Sequence, residues 1–145
     1  MILYTNIEIK IPQFPRRIIS SWIKNVSMTF QKEVGEIAYI FCTDTKIKKL
    51  NKTYLSHNYY TDVITFDYSN NEIISGDIFI SIETVKSNAE KYQVTFKQEL
   101  FRVMIHGILH LCGLNDQTEK ENEIMKIFET NALIVLKNNY NYNEF

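Results

Sequence analysis

The sequence holds few of the residues that build disulfide frameworks, long loops or membrane spans. Two cysteines, four glycines and two prolines stand among 145 residues, which excludes a disulfide scaffold and a collagen-like chain. No stretch approaches the roughly 20 consecutive apolar residues that a transmembrane helix needs. The first ten residues lack the basic start and the apolar run of a secretory signal. We therefore expect a cytoplasmic protein whose cysteines are buried thiols.

What is present is the composition of a globular domain. Apolar residues make up 45% and aromatic residues 13% of the chain, and a chain of this length buries one sizeable core. The sequence shows no internal repeat, low-complexity tract or evident linker. We expect a single domain over residues 1–145, with the Asn-rich segment 138–145 as a frayed tail.

Charge is divided unevenly along the chain, although the net charge is only −1. Residues 1–55 contain nine Lys and Arg against four Asp and Glu, a net charge of +5. Residues 56–145 contain seven against thirteen, a net charge of −6. A basic half is able to face a phosphate backbone, but a mixed solvated surface has the same composition, and composition alone favours that simpler interpretation.

Hydrophobic periodicity predicts an α+β fold, with about four strands in a mixed sheet packed against helices. Apolar, aromatic and β-branched runs predict strands over residues 2–11, 36–43, 61–68 and 76–81. Helical spacing and capping signals predict helices over residues 16–30, 45–55, 83–93, 96–112 and 119–137. The fourth of these helices is unusually apolar and ends before Gly113, a residue type common just beyond helix C-termini.

Two of the three histidines lie four residues apart on that apolar helix. Because four residues turn through about 400°, His106 and His110 share one face, with Cβ atoms about 6 Å apart, and are able to bind one cation. Gly113 permits a turn with positive φ, after which Asp116 returns a carboxylate to the same point. The pattern H-x-x-x-H-x-x-G-x-x-D therefore predicts a metal-binding helix, three protein ligands and an open position for an activated water.

Chance placement of two histidines on a surface helix is the plain alternative. The apolar helix weakens it, because a buried histidine needs a polar partner. Gly107 in mid-helix costs about 1 kcal/mol relative to Ala, which indicates close packing or the approach of a substrate. Cys112 lies about 200° around the helix from His110, so we predict a core residue and not a ligand. His57 is predicted to be a solvated loop residue.

At these residues the chain resembles the YbeY family of bacterial endoribonucleases, also called ribosomal RNA maturation factors. The resemblance extends from Gly35 to about Met125. Its strongest piece is HGILHLCGLND at 106–116, similar to the family's H-G-x-L-H-L-x-G-x-x-H. Supporting pieces are LNKTYL at 50–55, TDVITF at 61–66 and SGDIFIS at 75–81.

The resemblance implies a compact α+β fold, one zinc-like ion and cleavage of single-stranded ribosomal RNA precursors, especially at the 3′ end of the small-subunit RNA. It implies a ribosomal RNA precursor, and the small ribosomal subunit, as partners. It assigns the first two metal ligands to His106 and His110 and the third to Asp116, where the family has histidine. A family arginine falls on Leu55, and Lys52 or Arg102 is the candidate substitute.

The predicted function is that of a metal-dependent endoribonuclease in ribosomal RNA maturation, with Zn²⁺ as the leading ion and iron or manganese as alternatives. The sequence does not identify the general base, for which Glu99 and Asp77 are candidates. The basic residues of the second helix either contact the RNA backbone or form a solvated face; they are Lys46, Lys48, Lys49 and Lys52.

Two other functions fit the same pattern. One is an RNA- or ribosome-binding module whose metal is structural. The other is a metallopeptidase, but zinc peptidases carry a general-base glutamate directly after the first histidine. This chain has Gly107 at that position, which disfavours a peptidase.

Overall fold

Four strands form one mixed sheet, as the sequence predicts. The structure is a computed structural model that describes residues 1–54 and 61–145, so the predictions for Leu55 and His57 lie outside it. The strands are β1 (Ile2–Asn6), β2 (Glu33–Cys42), β3 (Val63–Asp67) and β4 (Ile73–Ser81), in the order β1-β2-β4-β3. β2 is parallel to β1 and β4, whereas β3 runs antiparallel to β4. β3 is therefore an edge strand of the sheet.

In the described part of the chain, five helices accompany the sheet, which makes the fold a compact α+β domain. They are α1 (Arg16–Thr29), α2 (Asp44–Tyr54), α3 (Ile82–Tyr92), α4 (Phe96–Leu111) and α5 (Glu119–Asn139). The predicted capping box of α5 is confirmed, because Thr118 accepts from the Glu121 backbone N–H and Glu121 reaches back to Thr118. No helix within residues 1–54 and 61–145 is long and apolar enough to cross a bilayer.

The two faces of β4 meet different helices, because successive side chains of a strand point to opposite sides. Ile78 faces α4, where a methyl group added to Gly107 would stand 2.9 Å from Ile78 Cδ1. Phe79 faces the smaller core that α2 covers with Ile47 and Leu50. Close packing of α4 on the sheet is therefore the structural reason for the mid-helix glycine.

Several element boundaries differ from the sequence prediction, by one to five residues. β1 ends at Asn6, five residues early, and the chain turns at Glu8 with φ 60°. β4 begins at Ile73, three residues early, because fully buried Ile74 pairs with Val34 of β2. The C-terminal segment packs on the core where the sequence predicts a frayed tail: Tyr142 is 6% exposed, with its ring centroid 5.5 Å from that of Phe101.

Candidate metal centre

Helix α4 carries the histidine pair and is held at its N-terminus by a cap. The Thr95 hydroxyl accepts a hydrogen bond from the Gln98 backbone N–H at 3.1 Å, which satisfies one of the donors that a helix start leaves free. Most of the helix is buried between the sheet and its neighbours. The His106 and His110 rings lie on the face that is left open, with centroids 4.8 Å apart and planes at 83°.

A left-handed turn after α4 brings the chain back towards the histidines. Gly113 has φ +109°, a conformation that side-chain-bearing residues rarely adopt. Its N–H donates to His110 O at 3.0 Å, and the Leu114 N–H donates to Leu109 O at 3.0 Å. These two bonds are a Schellman motif, and the turn they close leads directly to Asp116.

The three predicted side chains converge at one point. His106 Nε2 lies 3.2 Å from Asp116 Oδ2, and His110 Nε2 lies 3.3 Å from Asp116 Oδ1. The ligand atoms of the three residues all lie within 4.8 Å of one another. Ligands at 2.0–2.1 Å from a tetrahedral ion are separated by roughly 3.3 Å. The donor set therefore fits a divalent ion in both chemistry and spacing.

The site is partly open to solvent. The side chains of His106, His110 and Asp116 are 18%, 29% and 31% exposed, so the histidines are not buried to the degree that the apolar sequence around them predicts. They line a cleft of about 870 Å³ along the edge strand β3, together with Asn51 of α2. An open cleft of this kind gives a substrate access to an ion held at its wall.

A carboxylate from another helix holds the first histidine. Glu129 of α5, 5% exposed, lies with Oε2 at 2.6 Å from His106 Nδ1, and Arg102 Nη1 donates to Glu129 Oε1 at 3.0 Å. With Nδ1–H donating to the carboxylate, Nε2 is left with a free lone pair that faces Asp116. Carboxylate–histidine pairs of this kind orient metal ligands in many proteins.

Comparison with known proteins identifies the family. The family described as Endoribonuclease YbeY matches residues 3–137. The chain belongs to the YbeY family. This confirms the family that the sequence motifs indicate, and the family's name disfavours both a peptidase and a module without catalytic activity.

Bacterial relatives match this chain over most of its length. The Endoribonuclease YbeY of Bacteroides fragilis is 52% identical over 136 residues, which cover 94% of this chain and 98% of that protein. That of Parabacteroides distasonis is 50% identical over 135 residues, 93% of this chain and 95% of that protein. The solution structure of TM1509 from Thermotoga maritima has a TM-score of 0.66 and 23% identity, and covers 97% and 92% of the two chains. At that identity it supports the fold alone.

The carboxylates around His106 favour a positive charge at this site. Burial lowers the pKa of His106, but its hydrogen bond to Glu129 and the charges of Glu129, Asp116 and Asp62 outweigh burial and raise the pKa overall. Carboxylates that stabilise an imidazolium also attract a divalent cation. The carboxylates that raise the proton affinity of His106 therefore also attract a divalent ion, and the proton competes with that ion for the imidazole.

The remaining predicted residues fall into two groups. Glu99 lines a second cavity beside the histidines, and Arg102 pairs with Glu129, so both lie near the site. Asp77 is on the α2 side of β4, where it hydrogen-bonds Tyr68, and it is not among the residues that line the two cavities next to His106. Cys112 packs against the main core, and burial raises its pKa to about 11.

Sequence reasoning missed Glu129 and Asp62. Glu129 is a charged residue within the buried stripe of α5, between Met125 and Leu133 at intervals of four. A carboxylate in such a stripe is a signal for a buried partner, because an unpaired buried charge is costly. Asp62, partly buried before β3, lines both cavities next to His106, and the resemblance at TDVITF gave it no separate role.

Proposed function

We propose that this chain is a metal-dependent endoribonuclease, specific for single strands, that acts in ribosomal RNA maturation with one Zn²⁺ held by His106, His110 and Asp116. The observation that carries the proposal is the convergence of these side chains, at 3.2 and 3.3 Å, on the wall of an open cleft. Membership of a family described as Endoribonuclease YbeY supports RNA as the substrate. A ribosomal RNA precursor, association with the small ribosomal subunit and a cytoplasmic location stay predictions of the resemblance.

The residues of the site have separable tasks. A divalent ion in such a site supplies Lewis acidity towards a phosphoryl oxygen and lowers the pKa of a water. Glu129 fixes the tautomer and orientation of His106 through the 2.6 Å contact to Nδ1. Gly113 sets the turn that returns Asp116. Three protein ligands leave coordination positions for substrate, which is typical of catalytic rather than structural sites.

The position that carries the general base in zinc peptidases has no access to the cleft. Gly107 faces Ile78 of the sheet, and even a Cβ there would contact the Ile78 side chain at 2.9 Å. A glutamate at this position would have to enter the core, because Gly107 lies about 100° around α4 from His106 and packs on the sheet. The local geometry therefore supports nuclease chemistry over that of the zinc peptidases.

We infer that an RNA strand follows the cleft past helix α2. Buried Asn51 of α2 lines the cleft wall, and Lys49 and Lys52 are exposed on the same helix. Lys46 and Lys48 are partly buried there. Lysines beside a metal cleft are placed to neutralise backbone phosphates, which hold a strand without reading its sequence.

Elemental analysis and RNA cleavage test the metal site together. The purified chain should hold one zinc and cleave single-stranded RNA, and His106→Ala and His110→Ala should each lose most of the metal and the cleavage. Cys112→Ala is the matched control, because it removes a metal-binding residue type from the same helix end and should change neither readout. Full metal content in His106→Ala contradicts the ligand set, and RNA binding without cleavage by the zinc-loaded chain indicates a binding module.

Salt dependence tests the RNA path. A Lys49→Ala, Lys52→Ala double variant should bind single-stranded RNA more weakly, and the slope of log K against log salt should become shallower by about 1.4, at roughly 0.7 per phosphate contact. Lys24→Ala, which removes an exposed lysine from α1, should leave the slope unchanged. An unchanged slope in the double variant would show that these lysines form a solvated face.

A further inference from the structure

A second cavity adjoins the metal centre on the side away from α2. It has a volume of about 460 Å³ and is lined by residues of α3, α4 and α5, within the roughly 300–1,000 Å³ range of small-ligand pockets. Asp62 and His106 line both this cavity and the metal cleft. A strand whose phosphate lies at the histidines therefore has this cavity as its immediate neighbour.

The wall of the cavity contains a carboxyl group with no hydrogen-bond partner among the described residues. Glu99 is 5% exposed, and its side chain forms no hydrogen bond with any residue in 1–54 or 61–145. Burial and the neighbouring charge of Asp62 raise the pKa of Glu99 to about 7. A carboxyl group that lines a cavity and has no protein partner there is placed to hydrogen-bond a ligand bound in that cavity.

The other walls have the chemistry of a nucleobase site. Asn88 and Gln98 bring side-chain amides, Val94 and Val103 bring apolar surface, and Tyr92 brings an aromatic ring at the rim that is 56% exposed. Amide and carboxyl groups match the mixed donor and acceptor edge of an unpaired base, and aromatic rings stack on its face. The cavity thus offers both kinds of contact that single-stranded RNA recognition uses.

The charges of the cavity favour a base over a phosphate. Three carboxyl groups line it, those of Asp62, Glu99 and Glu129, against the cations Arg102 and Lys126, and Arg102 is already paired with Glu129. The negative charge of a phosphate in this space would be repelled by the carboxylates, whereas a neutral base would not be repelled. Glu99 and His106 are seven residues apart on α4, about 10 Å along the helix, which one nucleotide spans from its phosphate to the far edge of its base.

We propose that this cavity, lined by Asn88, Tyr92, Gln98 and Glu99, is a subsite for one nucleobase next to the scissile phosphate. The inference rests on the proposed function, because it takes the bond that is cleaved to lie at the histidines. Glu99 is then a specificity-determining residue that hydrogen-bonds the edge of the base. The subsite explains how a strand is held in one register without help from the phosphate-binding lysines.

The test pairs a change in the protein with the removal of one base. A short single-stranded RNA that the zinc-loaded chain cleaves at one bond is compared with substrates made abasic at each position flanking that bond. At one position the abasic substrate should have a KM higher by about tenfold, the order of magnitude of one base–aromatic stacking contact. Glu99→Ala and Asn88→Ala should raise KM for the intact RNA. With that abasic substrate, the KM values of the variants should be close to that of the wild type.

Controls and a binding readout separate the possible outcomes. Glu90→Ala removes an exposed carboxylate of α3 outside the cavity and should leave KM unchanged. Glu99→Gln should change which base is preferred at the position that the abasic substrates identify. Metal-free protein titrated with adenosine, guanosine, cytidine and uridine 5′-monophosphates should show NMR shifts of the Asn88 and Gln98 side-chain amides, and ribose 5-phosphate should not. The proposal is contradicted if ribose 5-phosphate causes NMR shifts as large as those of the nucleotides. It is also contradicted if the increases in KM caused by the protein variant and by the abasic substrate add up. A wild-type chain that cleaves no RNA contradicts the proposed function instead, and the NMR titration still decides on the cavity.

Discussion

Replacing Glu99 by Gln should stabilise the protein at alkaline pH and leave its stability nearly unchanged in acid. The Glu99 side chain is 5% exposed, and burial, reinforced by the charge of Asp62, raises its pKa from 4.5 to about 7. The folded state therefore binds this proton more tightly than the unfolded state. As pH rises from about 4.5 to about 7 the unfolded chain releases the proton first, so the free energy of unfolding falls across that window. Glutamine stays neutral and does not undergo this loss.

The size of the effect follows from the proton affinity. A tenfold change in proton affinity is worth about 1.4 kcal/mol, so the difference between 4.5 and about 7 sets an upper bound of about 3 kcal/mol. Relaxation of the cavity walls and entry of water reduce it, and we expect a gain of about 2 kcal/mol at pH 8. The attraction between Glu99 and Arg102, which the variant loses, already lowers the pKa and is contained in this bound.

Urea denaturation of metal-free protein at pH 4.5, 6 and 8 measures the difference directly. Free energies of unfolding of wild type and Glu99→Gln should nearly coincide at pH 4.5 and diverge steadily up to pH 8. Glu90→Gln removes the same charge from an exposed position of α3 and accounts for the change in net charge. A difference that is constant across the three pH values would refute the reasoning, because it would mean that Glu99 ionises alike in both states.

Three further changes probe the metal centre and its support. Glu129→Ala should weaken zinc binding by roughly 10–100-fold, because His106 loses its orienting partner, and competition with a chromogenic chelator measures this. Gly107→Ala should lower the free energy of unfolding by about 1–2 kcal/mol in urea melts, since the added methyl overpacks the β4 side chain beneath it by more than helix propensity returns. Gly113→Ala should destabilise by about 1 kcal/mol through its positive φ and also weaken zinc binding, because it disturbs the turn that carries Asp116; intact zinc affinity there would mean that the turn does not position the ligand.

The convergence of the three candidate ligands is predictable because its geometry is local. Two histidines four residues apart must share a helix face, and a glycine after the helix fixes where the chain returns, so His106, His110 and Asp116 meet within eleven residues of sequence. The general shape of the sheet is predictable for a related reason, since each strand is a run of apolar and β-branched residues. The ends of the strands are harder to predict. Ile74, for example, belongs to β4 because it pairs with β2 and not because of its own strand propensity.

The support of the site escapes prediction because it depends on packing between distant elements. Glu129 reaches His106 across 23 residues of sequence, and only the packing of α5 on α4 brings them together. The C-terminal tail also depends on a long-range contact. Its Asn-rich composition predicts disorder, yet the Tyr142 ring packs against the Phe101 ring and is buried. In the sequence, such long-range contacts are indicated by single residues that break an otherwise regular pattern, such as a glutamate in an apolar stripe.

The charges assembled around the proposed ion have a consequence for how RNA is bound. With a divalent ion in place, the carboxylates of Asp116, Glu129 and Asp62 and the guanidinium of Arg102 bring the formal charge of the immediate site to zero. A site of zero net charge holds a phosphodiester by coordination geometry and gains little from long-range attraction. Affinity for the strand must then come from elsewhere on the surface. The proposed sources of this affinity are the lysines of α2 on one side of the histidines and the base-sized cavity on the other. Because one would act through charge and the other through base contacts, salt should weaken the first contribution and leave the second largely intact.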